Sequence, residues 1–248
     1  MTNGIVQFID SHPQAHALLL FSPAGSGAYF YRHWAKQLGA GVHTLGIQLP
    51  GREGRYHEPR ATDFSALVVQ LAETIQGQVK GPYSIFGHSL GAALGFAVGE
   101  ALERQYGRAA ETIFVSARKV PSARANFPID PDIADGELID FLLSIGGIPA
   151  GIVNNAEVMN LYLPIFRDDF RLNISANAHP FHKVSANLVA LGGSEDVLAR
   201  PEDMEKWSTH SSKDCSMHIY PGGHFFITEH ERSLLTLLTT RLHPLTTA

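Results

Sequence analysis

A single cysteine, Cys215, among 248 residues leaves no partner for an intrachain disulfide, which excludes a stapled secreted scaffold. Charge is also sparse. Asp, Glu, Lys and Arg make up 17% of the chain, below the usual quarter, and 24 acidic residues outnumber 19 basic ones for a net charge of −5. No basic excess is available to hold nucleic acid. Long apolar runs are missing too. The uncharged stretch 81–99 contains Pro82, His88 and five glycines, and reads as a strand, a turn and a buried helix rather than a membrane span. Residues 1–10 carry no basic n-region, and the run 17–21 is too short for an h-region, so no secretory leader is expected. The expectation is a cytoplasmic globular protein with neither membrane nor nucleic-acid partners.

What the chain does have is a core. Hydrophobic residues are 44% of the total, and a chain of this length buries about 70–75% of its unfolded surface. Short apolar runs occur at 17–21, 42–48, 83–86, 112–116, 187–191 and 217–220. Continuous runs of this length suit strands buried on both faces of a parallel sheet. Helical patterns alternate with them at 63–79, 90–106 and 228–242, the first with Asp63 as N-cap. That alternation predicts an α/β class with βαβ crossovers. One interval breaks the rhythm: 70 residues separate Ser116 from Asn187, whereas a crossover needs only about a dozen or somewhat more. Within it, 135–145 and 156–170 look helical, and 141–156 is uncharged with Gly146-Gly147 as a hinge. A cap over about 121–183, with an apolar underside, is expected on a single domain spanning 1–248; a pair of ordinary surface helices is the plainer alternative.

Chemistry is signalled first by Gly87-His88-Ser89-Leu90-Gly91, between a strand and a helix. Such a turn is tight enough to strain the serine and to demand small flanking residues, and it lifts the hydroxyl above the sheet at a helix N-terminus. Gly91, Gly95 and Gly99 recur every four residues and would let the helix lie close to the sheet. A serine hydroxyl needs a base. Thirteen histidines make mere presence uninformative, but His224 lies between the last strand and the last helix, after Gly222-Gly223. From there it can reach over the sheet edge. An orienting carboxylate should follow the preceding strand, and Asp196 ends the turn Gly192-Gly193-Ser194-Glu195. Glu195 is its competitor. After the strand 112–116 no carboxylate appears until Asp130, so an acid placed there is disfavoured. The chain order Ser, Asp, His is that of the α/β-hydrolases.

An oxyanion needs two N–H donors. The backbone of Leu90, after the nucleophile, is one. The small-residue loop Phe21-Ser22-Pro23-Ala24-Gly25-Ser26-Gly27 should supply the other; Pro23 has no N–H, so Ala24 is expected, with Gly25 behind it. Gly25-Ser26-Gly27 lacks the further glycine of a dinucleotide turn and the Gly-Lys-Ser/Thr of a P-loop. His179 and His182 have no carboxylate set for a metal, and nothing marks Cys215 as a nucleophile. No metal and no cofactor are expected.

Taken together, these segments resemble the type II thioesterases of polyketide and non-ribosomal peptide synthesis. The likeness rests on 21–27 followed by Phe30-Tyr31, on Pro50-Gly51-Arg52-Glu53, on Gly87-His88-Ser89-Leu90-Gly91-Ala92, on Arg167-Asp168-Asp169-Phe170, on Gly192-Gly193 through Asp196, and on Gly223-His224-Phe225-Phe226. The loop departs from the family's usual Phe-Pro-His-Ala-Gly-Gly, and Leu90 replaces a common methionine. A monomer is expected, with nothing in the sequence to fix the oligomeric state. The resemblance implies an α/β-hydrolase fold. It also implies hydrolysis of acyl thioesters on the phosphopantetheine arm of acyl or peptidyl carrier protein domains. By the same likeness Ser89 is the nucleophile, Asp196 the orienting acid and His224 the base. Arg118, Lys119 and Arg124 should lie near the entrance, to meet the arm's phosphate or an acidic carrier, or simply as solvated charge. A general carboxylesterase or lipase and a non-catalytic binding protein of this fold are the alternatives.

Overall fold

Alternate residues of the apolar runs face opposite sides of one sheet. Leu18, Leu20, Phe86, Phe114, Val189 and Leu191 enter one core; Leu19, Phe21, Ile85, Ile113, Leu188 and Ala190 enter the other. Both faces are therefore dry, which is why these strands read as continuous rather than alternating apolar runs. The computed structural model describes residues 4–9, 16–121 and 128–242. The strands are β1 (Ile5–Gln7), β2 (Ala17–Phe21), β3 (His43–Ile47), β4 (Tyr83–His88), β5 (Thr112–Ser116), β6 (Asn187–Gly193) and β7 (Cys215–Tyr220). Their order is β1-β3-β2-β4-β5-β6-β7. Only β1 is antiparallel, on the outer edge of β3.

The helices are α1 (Arg32–Leu38), α2 (Phe64–Gln78), α3 (Leu90–Tyr106), α4 (Asp135–Ser144), α5 (Ala156–Ser175), α6 (Pro201–Met204), α7 (Phe226–Glu229) and α8 (Glu231–Leu242). Apolar residues of α2 and α3 join the first-named strand residues' opposite face with Leu19 and Ile85. Trp34 of α1 and Leu234 and Leu238 of α8 cover the other. Asp63 caps α2 by accepting from the Ala66 N–H at 2.9 Å. After β2 the chain crosses to β3 on one side; after β4 it moves to β5 on the other. Connections that diverge in this way open a crevice at the carboxyl ends of the strands, here between β2 and β4.

Several expected boundaries shift. The pattern at 228–242 predicts one helix, but His230 (φ −109°, ψ 23°) interrupts it between α7 and α8, with its ring Nε2 3.0 Å from the Pro221 carbonyl. The helix expected at 156–170 continues to Ser175, because Leu172 and Asn173 keep its inner face buried. Strand β1 is too short for periodicity to register. Between β5 and β6, α4 and α5 build an apolar cluster of their own around Leu142, Leu163, Phe166 and Phe170. Among the described residues no helix is long and apolar enough to cross a membrane.

Candidate active site

Ser89 sits between β4 and α3 with φ 56° and ψ −116°, a conformation unfavourable for a side chain and retained only where surroundings impose it. The imposed contacts are visible. A Cβ on Gly87 would lie 2.2 Å from the Gly91 carbonyl oxygen, and one on Gly91 would lie 2.1 Å from that of Phe21. Only glycine allows α3 to descend this far onto β2 and β4. The Ser89 N–H donates to the Ser116 carbonyl at 2.8 Å, which ties the turn to the neighbouring strand.

The turn after β7 brings His224 over the sheet edge. Its Nε2 is 3.0 Å from Ser89 Oγ, and its Nδ1 is 2.8 Å from Asp196 Oδ2. Asp196 and His224 are buried. The other Asp196 oxygen accepts from the Leu198 and Ala199 N–H groups at 2.8 and 3.1 Å, so the carboxylate is fixed at both ends. Glu195, one residue earlier, is exposed, and its N–H donates to the Gly222 carbonyl. Of the two candidates only Asp196 reaches His224. Phe226 anchors the turn by stacking on Tyr220 with centroids 5.4 Å apart, while Phe225 lines the cavity.

His88, beside the serine, is fully buried, with Nδ1 2.9 Å from Ser116 Oγ and Nε2 without a partner. Burial, reinforced by the neighbouring His224, holds its imidazole well below the ordinary histidine value, so it stays neutral. It packs against His224 at 5.3 Å between centroids without adding charge there.

Over Ser89 lies a largely apolar cavity between the sheet edge and α4–α5, bounded by Ala24, Phe141, Leu142, Phe166, Phe170 and Phe225. Phe141 and Leu142 belong to the uncharged stretch expected to face something apolar. Ala24 lines this cavity. Gly25 (φ 76°) does not offer its N–H there, because that group donates to Asp169 Oδ2 at 2.7 Å. Among the described residues no hydrogen bond occupies the Ala24 or Leu90 N–H.

That carboxylate belongs to a clamp which local sequence reasoning missed. Arg52 grips Asp169 of α5 through both terminal nitrogens at 2.6 Å and also donates to the Ser26 carbonyl at 3.2 Å. Burial alone would lower the affinity of Arg52 for its proton; the Asp169 charge and hydrogen bonds outweigh that and raise it. Glu53 packs beneath Gly27, and burial lifts its carboxyl above the usual range, partly countered by the Tyr29 N–H and Arg52. The Pro-Gly-Arg-Glu and Arg-Asp-Asp-Phe segments are thus two halves of one brace around the loop 22–27. Both segments carry the family likeness, but nothing local in the sequence pairs them, since the partners lie 117 positions apart.

Arg118 and Lys119 line the same cavity as Ser89. Half-buried Arg118 donates to Asn173 Oδ1, and its own carbonyl accepts from Trp207 Nε1 at 2.5 Å, so its side chain is tied to α5 and its backbone to Trp207. Burial pulls its guanidinium down to about 10, still charged at neutral pH. Arg124 lies outside the described residues. His179 pairs with Ser65 and His182 with Glu100, on separate partners, and burial raises the Cys215 thiol.

Comparison with known proteins agrees with this architecture. The family model described as Thioesterase domain matches residues 16–242. Linear gramicidin dehydrogenase LgrE of Brevibacillus parabrevis is 31% identical over 233 residues, covering 92% of this chain and 89% of that protein. Gramicidin S biosynthesis protein GrsT of Aneurinibacillus migulanus is 30% identical over 225 residues, covering 88% and 86%. The type II thioesterase BorB from the borrelidin biosynthetic cluster superposes with a TM-score of 0.88 at 30% identity, covering 96% of this chain and 97% of that one. With the fold, the sequence match and the relatives in accord, the chain belongs to the thioesterase family, as a type II member with the α/β-hydrolase fold.

Proposed function

We propose that the protein hydrolyses acyl thioesters carried on the phosphopantetheine arm of acyl or peptidyl carrier protein domains, through a Ser89–His224–Asp196 triad. The hydrogen-bonded line from Ser89 Oγ through His224 to Asp196 carries this reading. His224 Nε2 takes the hydroxyl proton as Oγ adds to the thioester carbonyl. The Ala24 and Leu90 N–H groups receive the oxyanion. The intermediate collapses to an acyl-serine, and the arm's sulfur leaves with the proton from His224. Water repeats the sequence and yields the free acid and the serine. Asp196 holds the imidazole in the tautomer that presents Nε2. The steps need no metal or cofactor. The segment 121–183 serves as a cap, with α4 and α5 walling the acyl chain. The dehydrogenase in the name of LgrE finds no support at Gly25-Ser26-Gly27, where a carboxylate occupies the N–H that a cofactor phosphate would need.

The test compares kcat/KM for a thioester and an oxygen ester of one acyl group. A thioester preference is expected; an ester preference would favour a general esterase. Ser89→Ala should lower kcat by about 10⁴–10⁶ and Asp196→Asn by about 10⁴, while Glu195→Gln changes little. Near-normal turnover of Ser89→Ala would end the triad assignment.

A further inference from the structure

Hydrolysis as proposed makes no use of Arg118. Its position is nevertheless central. Ser116 pairs in register with His88, so one strand spacing and one or two residue rises separate the Arg118 and Ser89 backbones, roughly 10 Å or less. The guanidinium has a neutral amide, Asn173, as its side-chain partner, and among the described residues its buried Nε has no partner. Among the described residues no carboxylate pairs with it, and burial is what lowers its hold on the proton. The neighbouring stretch 122–127 contains no Asp or Glu. Lys119 adds a second cation to the same cavity. The contrast with Arg52 is instructive. That buried arginine structures a loop, and the fold supplies it with a bidentate carboxylate. At Arg118 the fold supplies none, in the cavity that opens on the serine. A desolvated cation without a counter-ion is unfavourable until an anion arrives.

We infer that Arg118, with Lys119 beside it, forms an anion subsite in the acyl cavity, and that the enzyme accepts short acyl chains ending in a carboxylate: dicarboxylic acyl thioesters. This rests on the thioesterase reading above. The phosphate of the arm is the other anion in the substrate. About fourteen bonds separate it from the sulfur, roughly 16 Å when extended, whereas Arg118 lines the same cavity as Ser89. The carboxylate of a short diacid lies within that distance.

The experiment measures kcat/KM for succinyl and glutaryl N-acetylcysteamine thioesters, which contain no phosphate, against their neutral methyl esters. A charge-assisted hydrogen bond predicts a charged-to-neutral ratio of about 10 to 100 in the wild type. Arg118→Met should collapse that ratio towards one, and Arg118→Lys should keep part of it. Because the readout is a ratio, a general loss of activity does not imitate the effect. A wild-type ratio at or below one, or a ratio unchanged in Arg118→Met, overturns the inference. So does an Arg118 effect confined to phosphopantetheine-bearing substrates irrespective of acyl charge, which would assign the residue to the arm. Should Arg118→Met not fold, inhibition of the wild type by free glutarate against pentanoate decides, equal inhibition counting against the subsite. If neither class of thioester is hydrolysed, the thioesterase reading fails, and the inhibition measurement still reports on the anion site.

Discussion

Breaking the Arg52–Asp169 clamp should separate stability from turnover. The side chains of Arg52 and Asp169 are 5% and 2% exposed, so removing either leaves the other as a buried, uncompensated charge. Arg52→Met and Asp169→Leu should each cost about 3–5 kcal/mol. The double variant buries no charge, and replacing a buried pair by apolar side chains is often near neutral, so it should recover most of that loss, to within about 2 kcal/mol of wild type. Turnover should not recover with it. The Gly25 N–H loses its acceptor in the double variant, and the Ser26 carbonyl loses the Arg52 donor. The loop carrying Ala24 is then free to relax, and kcat should fall by about 10²–10³, the worth of one oxyanion donor, with KM little changed. Urea denaturation of the four proteins gives the coupling energy; steady-state thioester kinetics gives the kcat and KM split. Turnover returning in parallel with stability would show that the clamp holds only the fold. Additive losses of stability would show that the two residues do not act as a pair.

Two further outcomes follow from the elbow. Gly91→Ala should lower stability by about 1–3 kcal/mol and displace Ser89, because its Cβ would meet the Phe21 and Ser22 carbonyl oxygens at 2.1 and 2.6 Å. Gly99→Ala should be mild, because its Cβ meets only movable isoleucine tips, so equal melting temperatures for the two variants would refute the account. Burial holds His88 far below its unfolded value near 6.5. Below that pH the unfolded chain binds a proton that the folded chain refuses, so stability falls as pH drops from about 6.5 towards the folded value, by up to about 1.4 kcal/mol per pH unit. His88→Gln should flatten the denaturation midpoint's dependence between pH 6.5 and 5; an unchanged slope would show that His88 is not the group excluded from protonation.

The sheet and the chain order of Ser89, Asp196 and His224 were legible because their signals are local. The runs at 17–21 and 112–116 coincide with β2 and β5, since burial on both faces removes polar residues from the whole strand. The elbow was legible because steric demand at Ser89 is met by adjacent glycines. Asp196 was preferred over its neighbour Glu195 from the sequence, and the direction of the turn brings Asp196 to His224. The break at His230 rests on a contact with Pro221, outside the helix itself. Arg118 could be read either as an anion contact or as solvated charge because it follows a strand end; its partners Asn173 and Trp207 are distant in sequence. The clamp was invisible for the same reason.

Helix α5 carries Asp169 against the loop, Asn173 against Arg118, and Phe166 and Phe170 against the cavity. One rigid rod therefore sets both how wide the chamber is and how well the loop is aimed. Substrate range and speed are not independent traits along this helix, and an evolving or engineered variant that gains room by tilting it forfeits rate. Helix α4, which touches the chamber through Phe141 and Leu142, is tied to the same rod by the Asp135–Arg167 pair and a shared apolar cluster, so the linkage reaches it through α5.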